Sequence, residues 1–343
     1  MGVMDRDPVA DLRRIAFLLE RAQEQTYRVR AFRRAADALS KLDPDAVTLR
    51  ADAGTLTDLN GVGDVTARCV VESLAGAEPV YLRRLVATAG TPVAEGGAAL
   101  RAALCGDLHT HTDWSDGGSP IAEMALTGHE LGHSYMAITD HSPRLTVANG
   151  LTAERLRRQL VEVRKIAAEM APFRLLTGIE VDILADGTLD QDDDLLAEVD
   201  IVVASVHSGL RSDRDAMTGR MVRAIANPRV NILGHCTGRM VHGKRKRPES
   251  EFDAELDFAA CEKFGVAVEV NSRPERLDPP KRLLRLAIEA GCVVSIDSDA
   301  HAPGQLDWQP YGCERAAACG LPAESVVNTW PADKLLEWAG RPR

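Results

Sequence analysis

Six of the nine histidines in this 343-residue chain sit where a short apolar, β-branched run ends. Those runs, at residues 104–109, 135–139, 174–181, 201–206, 230–233, 266–270 and 292–296, alternate with stretches whose apolar residues recur at helical spacing. Helices are expected at 121–131, 153–170, 215–226, 254–264 and 281–290. A strand followed by a helix, repeated, builds a parallel sheet covered by helices. Eight such units fill about 250 residues in a TIM barrel, so seven need roughly 220, the length available between residues 104 and 325. The pattern therefore predicts an α/β chain with a seven-stranded, TIM-like βα barrel.

In a parallel barrel the C-terminal ends of all strands share one rim, where active sites form. The polar residues placed there are His109 and His111 after the first strand, Asp140 and His141 after the second, Glu180 in the third, His207 and His235 after the fourth and fifth, and Asp299 with His301 after the seventh. Two positions apart in an extended segment, His109 and His111 point the same way. With Asp116 the set of candidate metal ligands numbers nine: His109, His111, Asp116, His141, Glu180, His207, His235, Asp299 and His301. A lone histidine is most often a satisfied core or surface residue, and that reading is kept for His129, His133 and His242. It fails for the set, because unpaired polar groups gathered at a barrel mouth are costly unless something binds them. Imidazole and carboxylate without thiolate suit zinc, manganese or iron. Nine ligands exceed what one ion with an open position can use, so two or three divalent ions are expected. Such a cluster acidifies a bound water and offsets charge on a transferring phosphoryl group, which makes phosphoester hydrolysis the expected reaction.

Composition narrows the setting. The net charge of −10 argues against a wholly basic nucleic-acid coat protein. Cysteine occurs seven times, an odd number without CxxC spacing, which excludes a disulfide framework or thiolate zinc site and favours a reducing, cytoplasmic location. Residues 1–14 lack an apolar signal core, and no stretch approaches the roughly 18 apolar residues of a membrane span. The segment before the barrel is free of histidine. Apolar residues at helical spacing predict two helices over residues 8–42, another over 65–74 after the turn Leu59-Asn60-Gly61-Val62-Gly63, and a short one at 81–88. A glycine- and proline-rich stretch near 90–100 marks the boundary, giving a helical domain at 1–95 and the barrel at 104–330.

The strings GDLHTHTDWSDG, AITDHS, VANGL, GIEVDILADG, ASVHSG, ILGHCTGR and SDAH resemble the PHP (polymerase and histidinol phosphatase) superfamily, and most closely the PHP domain at the C-terminus of bacterial family X DNA polymerases. The resemblance runs through residues 105–330, and residues 8–90 resemble the helix-hairpin-helix domain that opens those enzymes. No nucleotidyltransferase palm lies between the two, so DNA synthesis is not expected. The resemblance implies a distorted seven-stranded barrel with a trinuclear centre. His109, His111, Glu180 and Asp299 would hold one ion. Bridging Glu180, with His207 and His235, would hold a second, and Asp116, His141 and His301 a third.

The Gly61-Val62-Gly63 turn offers backbone N–H groups and a helix N-terminus to a phosphate, the way such hairpins grip DNA without reading its sequence. Gly61, Gly63, Arg28 and Arg30 are the expected DNA contacts, opposed by Asp64 and by the absence of net positive charge in this segment. On the barrel, Arg239, Lys244, Arg245, Arg273 and Arg276 are expected to bind substrate phosphate. Glu180, Asp140 and Arg239 are the expected catalytic set: Glu180 bridges ions, Asp140 orients a ligand imidazole, and Arg239 neutralises charge on the equatorial oxygens. The expected substrate is a DNA end, processed by 3′-to-5′ hydrolysis in repair, with a small phosphate monoester as the alternative. A non-catalytic DNA-binding scaffold is the competing class; it conflicts with a complete ligand set. Amidohydrolase chemistry conflicts with the lack of a lysine between Lys165 and Lys244, where a bridging carbamylated lysine would sit.

Overall fold

A computed structural model describes residues 6–89, 93–243 and 246–340. The chain divides into two compact units, residues 1–92 and 93–343.

The first unit is helical. Helix α1 (Pro8–Arg21) begins where the Asp7 carboxylate accepts the Val9 N–H at 2.8 Å and proline fills the first turn. Its buried face, Leu12, Ile15, Ala16 and Leu19, meets Val29, Phe32, Ala36 and Leu39 of α2 (Thr26–Leu39). The apolar run is broken into two helices at Gln23, which takes φ +56°. Helices α3 (Pro44–Asp52), α4 (Asp64–Leu74) and α5 (Val80–Ala89) follow. Buried polar pairs tie the unit together: Arg33 to Glu20 at 2.7 Å, and the Ser73 hydroxyl donating to Asp11 at 2.7 Å.

The second unit opens with α6 (Ala98–Ala103) and contains seven parallel strands in sequential order: β1 (Gly106–Asp107), β2 (Tyr135–Ile138), β3 (Arg174–Asp182), β4 (Ile201–Ser205), β5 (Ile232–Leu233), β6 (Ala267–Asn271) and β7 (Val294–Asp297). Between them run α7 (Ile121–Glu130), α8 (Ala153–Glu169), the short α9 (Asp193–Leu196), α10 (Arg214–Ile225), α11 (Ala254–Phe264) and α12 (Lys281–Glu289), followed by α13 (Gln309–Ala318) and α14 (Ala332–Ala339). Strand β3 pairs with β2 over its first four residues and with β4 over its last five, so the sheet coils as it closes.

Strands β1 and β7 are shorter than their apolar runs because their polar ends join the barrel by side chains. One bridge, Thr110 to Ala300, links them. Asp297 Oδ1 accepts the Leu108 N–H at 2.8 Å, and Asp107 Oδ1 accepts the Ser298 N–H at 3.2 Å. At Gly234 the strands approach so closely that a Cβ would lie 2.2 Å from Ser205 Oγ, which excludes any side chain just before His235.

The end of the barrel away from these polar termini is plugged by α14, whose Leu335 and Trp338 are buried against Leu108, Tyr135, Leu176 and Ile232. Both α6 and α14, which flank the expected 104–330 span, pack on the barrel through Leu100 and Trp338. Among the described residues no helix is long and apolar enough to cross a membrane. Trp338→Ala should lower stability by about 3 to 5 kcal/mol through the cavity it leaves. Urea unfolding followed by circular dichroism measures this, and a loss under about 1 kcal/mol would show that α14 does not support the barrel.

Candidate metal centre

All nine expected ligands converge at one mouth of the barrel, and Glu180 stands at their centre. On β3 it points inward with only 1% of its surface exposed. One of its oxygens, Oε2, lies 3.3 Å from His109 Nε2, 3.5 Å from His111 Nε2 and 2.8 Å from His141 Nδ1. The other, Oε1, lies 2.9 Å from His235 Nε2 and 3.3 Å from His207 Nε2. The six imidazoles form a continuous cluster, each ring centroid 4.2 to 5.2 Å from its nearest neighbour.

Asp116 sits 3.4 Å from His301 Nε2 and 3.6 Å from His141 Nε2, and Asp299 lies 3.4 Å from His111 Nε2. Ligand atoms of His111, Asp116, His141 and His301 all fall within 4.8 Å of one another, as do those of His109, His111 and Glu180, and those of His141, Glu180 and His207. Asp299 adopts φ +52°, a left-handed conformation that a non-glycine residue holds only when its surroundings enforce it.

The buried donor atoms fit cations. His111 Nδ1 is buried without a hydrogen-bond partner, and His109 Nε2, His111 Nε2, His141 Nδ1 and His207 Nε2 meet only the oxygens of Glu180 and Asp299. Buried imidazole nitrogens and carboxylate oxygens gathered this closely are costly unless protons or cations sit among them.

Electrostatics follow from the crowding. Burial pushes the Glu180 carboxyl up, but His109, His141 and His207 override it and hold its pKa well below the ordinary range. Burial favours neutral imidazole at His109 and His207, yet Glu180 and its neighbouring carboxylates hold His109 well above its usual value and raise His207 to about 9. Burial together with His301 and His141 pushes His111 down, and burial with Arg276 lowers His235 to about 3.

Two carboxylates that the sequence did not single out stand behind the imidazoles. Glu269 on β6 is fully buried, contacts His109 Nδ1 at 2.6 Å and accepts the His235 backbone N–H. Asp182 lies 3.2 Å from His207 Nδ1. A carboxylate on one ring nitrogen fixes the tautomer and aims the other nitrogen into the site. The signal was present: Ala267, Glu269 and Asn271 alternate with Val268 and Val270, placing a glutamate on the inner face of an apolar strand.

Other expected roles change. Asp140 does not hold an imidazole. Its oxygens accept from the Thr112 backbone at 2.8 Å, the Thr112 hydroxyl at 2.6 Å, Gln159 at 2.6 Å and the Ser115 hydroxyl, so it braces the loop that carries Asp116. Arg239 is turned away from the ligands, its guanidinium engaged by the Arg276 carbonyl at 3.0 Å, the Leu277 carbonyl and Glu249 at 3.3 Å. Arg273 and Arg276 do reach the rim. Arg273 Nη1 donates to the Asp299 carbonyl at 3.0 Å and lies 2.8 Å from His301 Nδ1, and Arg276 Nε lies 3.3 Å from Asp299 Oδ2. Lys244 and Arg245 lie outside the described residues.

In the helical unit the Gly63 N–H, expected to face a phosphate, donates to Thr66 Oγ1 at 2.9 Å. Arg28 is held by Glu24 at 2.8 Å and by the Tyr81 hydroxyl at 3.0 Å. Arg30 is exposed. Gly61, at φ +96°, lines a 430 Å³ cavity with Arg34, Asp37, Ala38, Lys41 and Asn60, so one carboxylate stands among its two cations.

Against burial, Glu180 and its neighbouring carboxylates hold His109 and His207 above their usual pKa, so a cation taking their nitrogens competes with protons. Loading metal-free protein near pH 7.5 should therefore release protons, and affinity should fall as pH drops. Calorimetric titration in buffers of different ionisation heat reads this, and an apparent heat independent of buffer would contradict it.

Comparison with known proteins follows this division. Residues 6–78 match a helix-hairpin-helix domain and residues 107–273 a PHP domain. Over 223 residues the chain is 44% identical to the DNA polymerase/3'-5' exonuclease PolX of Bacillus subtilis, an alignment covering 65% of this chain and 39% of that protein. It is 26% identical over 234 residues to a protein of Thermoanaerobacter sp. described as a probable phosphatase, covering 65% of this chain and 89% of the relative. A histidinol phosphate phosphatase structure from Lactococcus lactis, complexed with zinc, L-histidinol and phosphate, matches with a TM-score of 0.46 and 16% identity over 68% of this chain and 93% of that one. The stretch between the two matched regions, residues 79–106, is too short for a further domain. The chain thus joins a helix-hairpin-helix domain to a PHP domain.

Proposed function

We propose that the protein is a metal-dependent phosphoesterase that hydrolyses phosphoester bonds at DNA 3′ ends. The observation that carries this reading is the cluster of nine ligand-type side chains around Glu180, with buried imidazole nitrogens and carboxylate oxygens gathered where protons or cations must sit among them. In this reading His109, His111, Glu180 and Asp299 hold one zinc, manganese or iron ion, Glu180, His207 and His235 a second, and Asp116, His141 and His301 a third. Such ions supply Lewis acidity and a water acidified to near-neutral pKa. Glu180 keeps the site anionic at its centre. Glu269 and Asp182 hold His109 and His207 in the tautomer that presents Nε2. Arg273 and Arg276, beside Asp299, are placed to take non-bridging phosphate oxygens.

A DNA end is favoured by two observations: the helix-hairpin-helix unit, whose Gly61 turn shares a cavity with Arg34 and Lys41, and the 44% identity to PolX over the barrel. A reducing, cytoplasmic setting agrees with seven free cysteines. The second reading, a small phosphate monoester, is favoured by the relatives described as phosphatases, one of which aligns over 89% of its length with 65% of this chain.

Metal-loaded protein should shorten 5′-labelled DNA to a ladder without releasing phosphate from histidinol phosphate. Phosphate release from the ester with intact DNA would select the second reading, and turnover of neither would remove both. Glu180→Ala should reduce hydrolysis at least about 1,000-fold and lower bound metal while leaving the circular dichroism spectrum unchanged. Retained turnover in that variant would refute the bridging role.

A further inference from the structure

Beside the metal centre, on the same rim, lies a cavity of 690 Å³ that the reading above does not use. Arg214, Arg239, Arg247 and Arg282 line it, with Glu249 and Glu251 as the acidic residues of the lining. Three helices start at its wall: Arg214 opens α10, Ala254 opens α11, and Arg282 and Leu283 lie in the first turn of α12. These helices run 12, 11 and 9 residues; the N-termini of α10 and α11 are capped by the Asp213 and Asp253 carboxylates, and only that of α12 brings an uncapped partial positive charge to the space. The cap of α12 is Pro280, which offers no side-chain acceptor to its first N–H groups. Four guanidinium groups face one hollow beside the uncapped start of α12; Arg214 leans on Asp253, Arg239 and Arg282 on Glu249, and Arg247 on the Gly238 carbonyl, so a phosphate entering there would compete with Asp253 and Glu249 for them.

The arginines also connect the hollow to the metal centre. Arg276 lies at Asp299, its carbonyl accepts from Arg239, and its charge helps to lower the pKa of Arg247, after burial, which acts first. Arg239 and Arg282 share Glu249. Arginines thus run from the Asp299 ligand into the cavity, with Glu249 seated between Arg239 and Arg282. A single phosphate monoester fills only the first position of such a track. A strand carrying a phosphate on every residue fills it all.

We propose that this cavity is a second phosphate subsite that holds the nucleic-acid backbone one or more nucleotides away from the bond being cleaved, so that the barrel itself selects a polynucleotide over a small ester. The inference rests on the phosphoesterase reading for its direction, but its test does not require turnover. Arg214 and Arg282 are the right positions to change, because their side chains are 56% and 64% exposed and neither touches the ligand set.

The experiment compares wild type with the Arg214→Glu/Arg282→Glu double variant, both metal-loaded. The first arm measures binding of a fluorescein-labelled, phosphorothioate-capped 12-nucleotide single strand across a salt series. The second measures hydrolysis of p-nitrophenyl phosphate. The variant should bind the strand at least about tenfold more weakly, and the slope of log affinity against log salt should drop by about 1.4, or about 0.7 for each of two phosphates no longer neutralised. Its rate on p-nitrophenyl phosphate should stay within twofold of wild type. Strand affinity within twofold of wild type, or an equal loss on both probes, overturns the proposal. Wild type that binds the strand but cleaves neither substrate counts against the phosphoesterase reading alone, since the binding arm still reads the cavity.

Discussion

One buried carboxylate touching five imidazoles sets the terms for the rest of the barrel. Glu180 is buried from solvent, and His109, His111, His141, His207 and His235 surround it within 3.5 Å. Such a group stays ionised only because positive charge, carried by protons or by cations, is concentrated on its neighbours. Every supporting feature follows from that demand: the inward face of β3, the bare backbone at Gly234, and the carboxylates of Glu269 and Asp182 behind the rings. Asp299 accepts an unfavourable backbone conformation to join the same cluster, with Asn271, Arg273 and Arg276 holding it there.

The convergence of the nine side chains was legible in the sequence because their spacing is tied to strand ends, and a parallel barrel gathers strand ends by construction. What lay behind the ligands was not. Glu269 is 160 positions from His109, and its role depends on β6 lying next to β5 across the barrel interior. Asp140 illustrates the opposite error: adjacency to His141 suggested a shared task, but successive residues leave a strand on opposite sides, and Asp140 turned to the Thr112–Ser115 loop instead. Arg239 misled for a similar reason. Its place after His235 brought it to the rim, while the carbonyls of Arg276 and Leu277 fixed its direction.

The helical unit shows how a motif can be present without all its parts being available. The glycine turn and the helix behind it are formed, but Thr66 claims the Gly63 N–H, and Glu24 with Tyr81 claim Arg28. Side chains fixed only by tertiary packing, such as Arg34 beside Gly61, decide which donors remain for a ligand. Residue type and spacing contain no record of that choice.

The seam between β1 and β7 gives the metal centre a mechanical meaning. A backbone ladder is missing there; a single bridge and two aspartate side chains stand in for it. His109 and His111 leave one side of the seam, and Asp299 and His301 leave the other. Any cation held jointly by His111 and Asp299, or by His111 and His301, is therefore a clasp across the weakest joint of the barrel. For such a cation, occupancy of the site and closure of the cylinder would be one equilibrium, and the energy of coordination would be felt as rigidity of the whole rim rather than at its ligands alone.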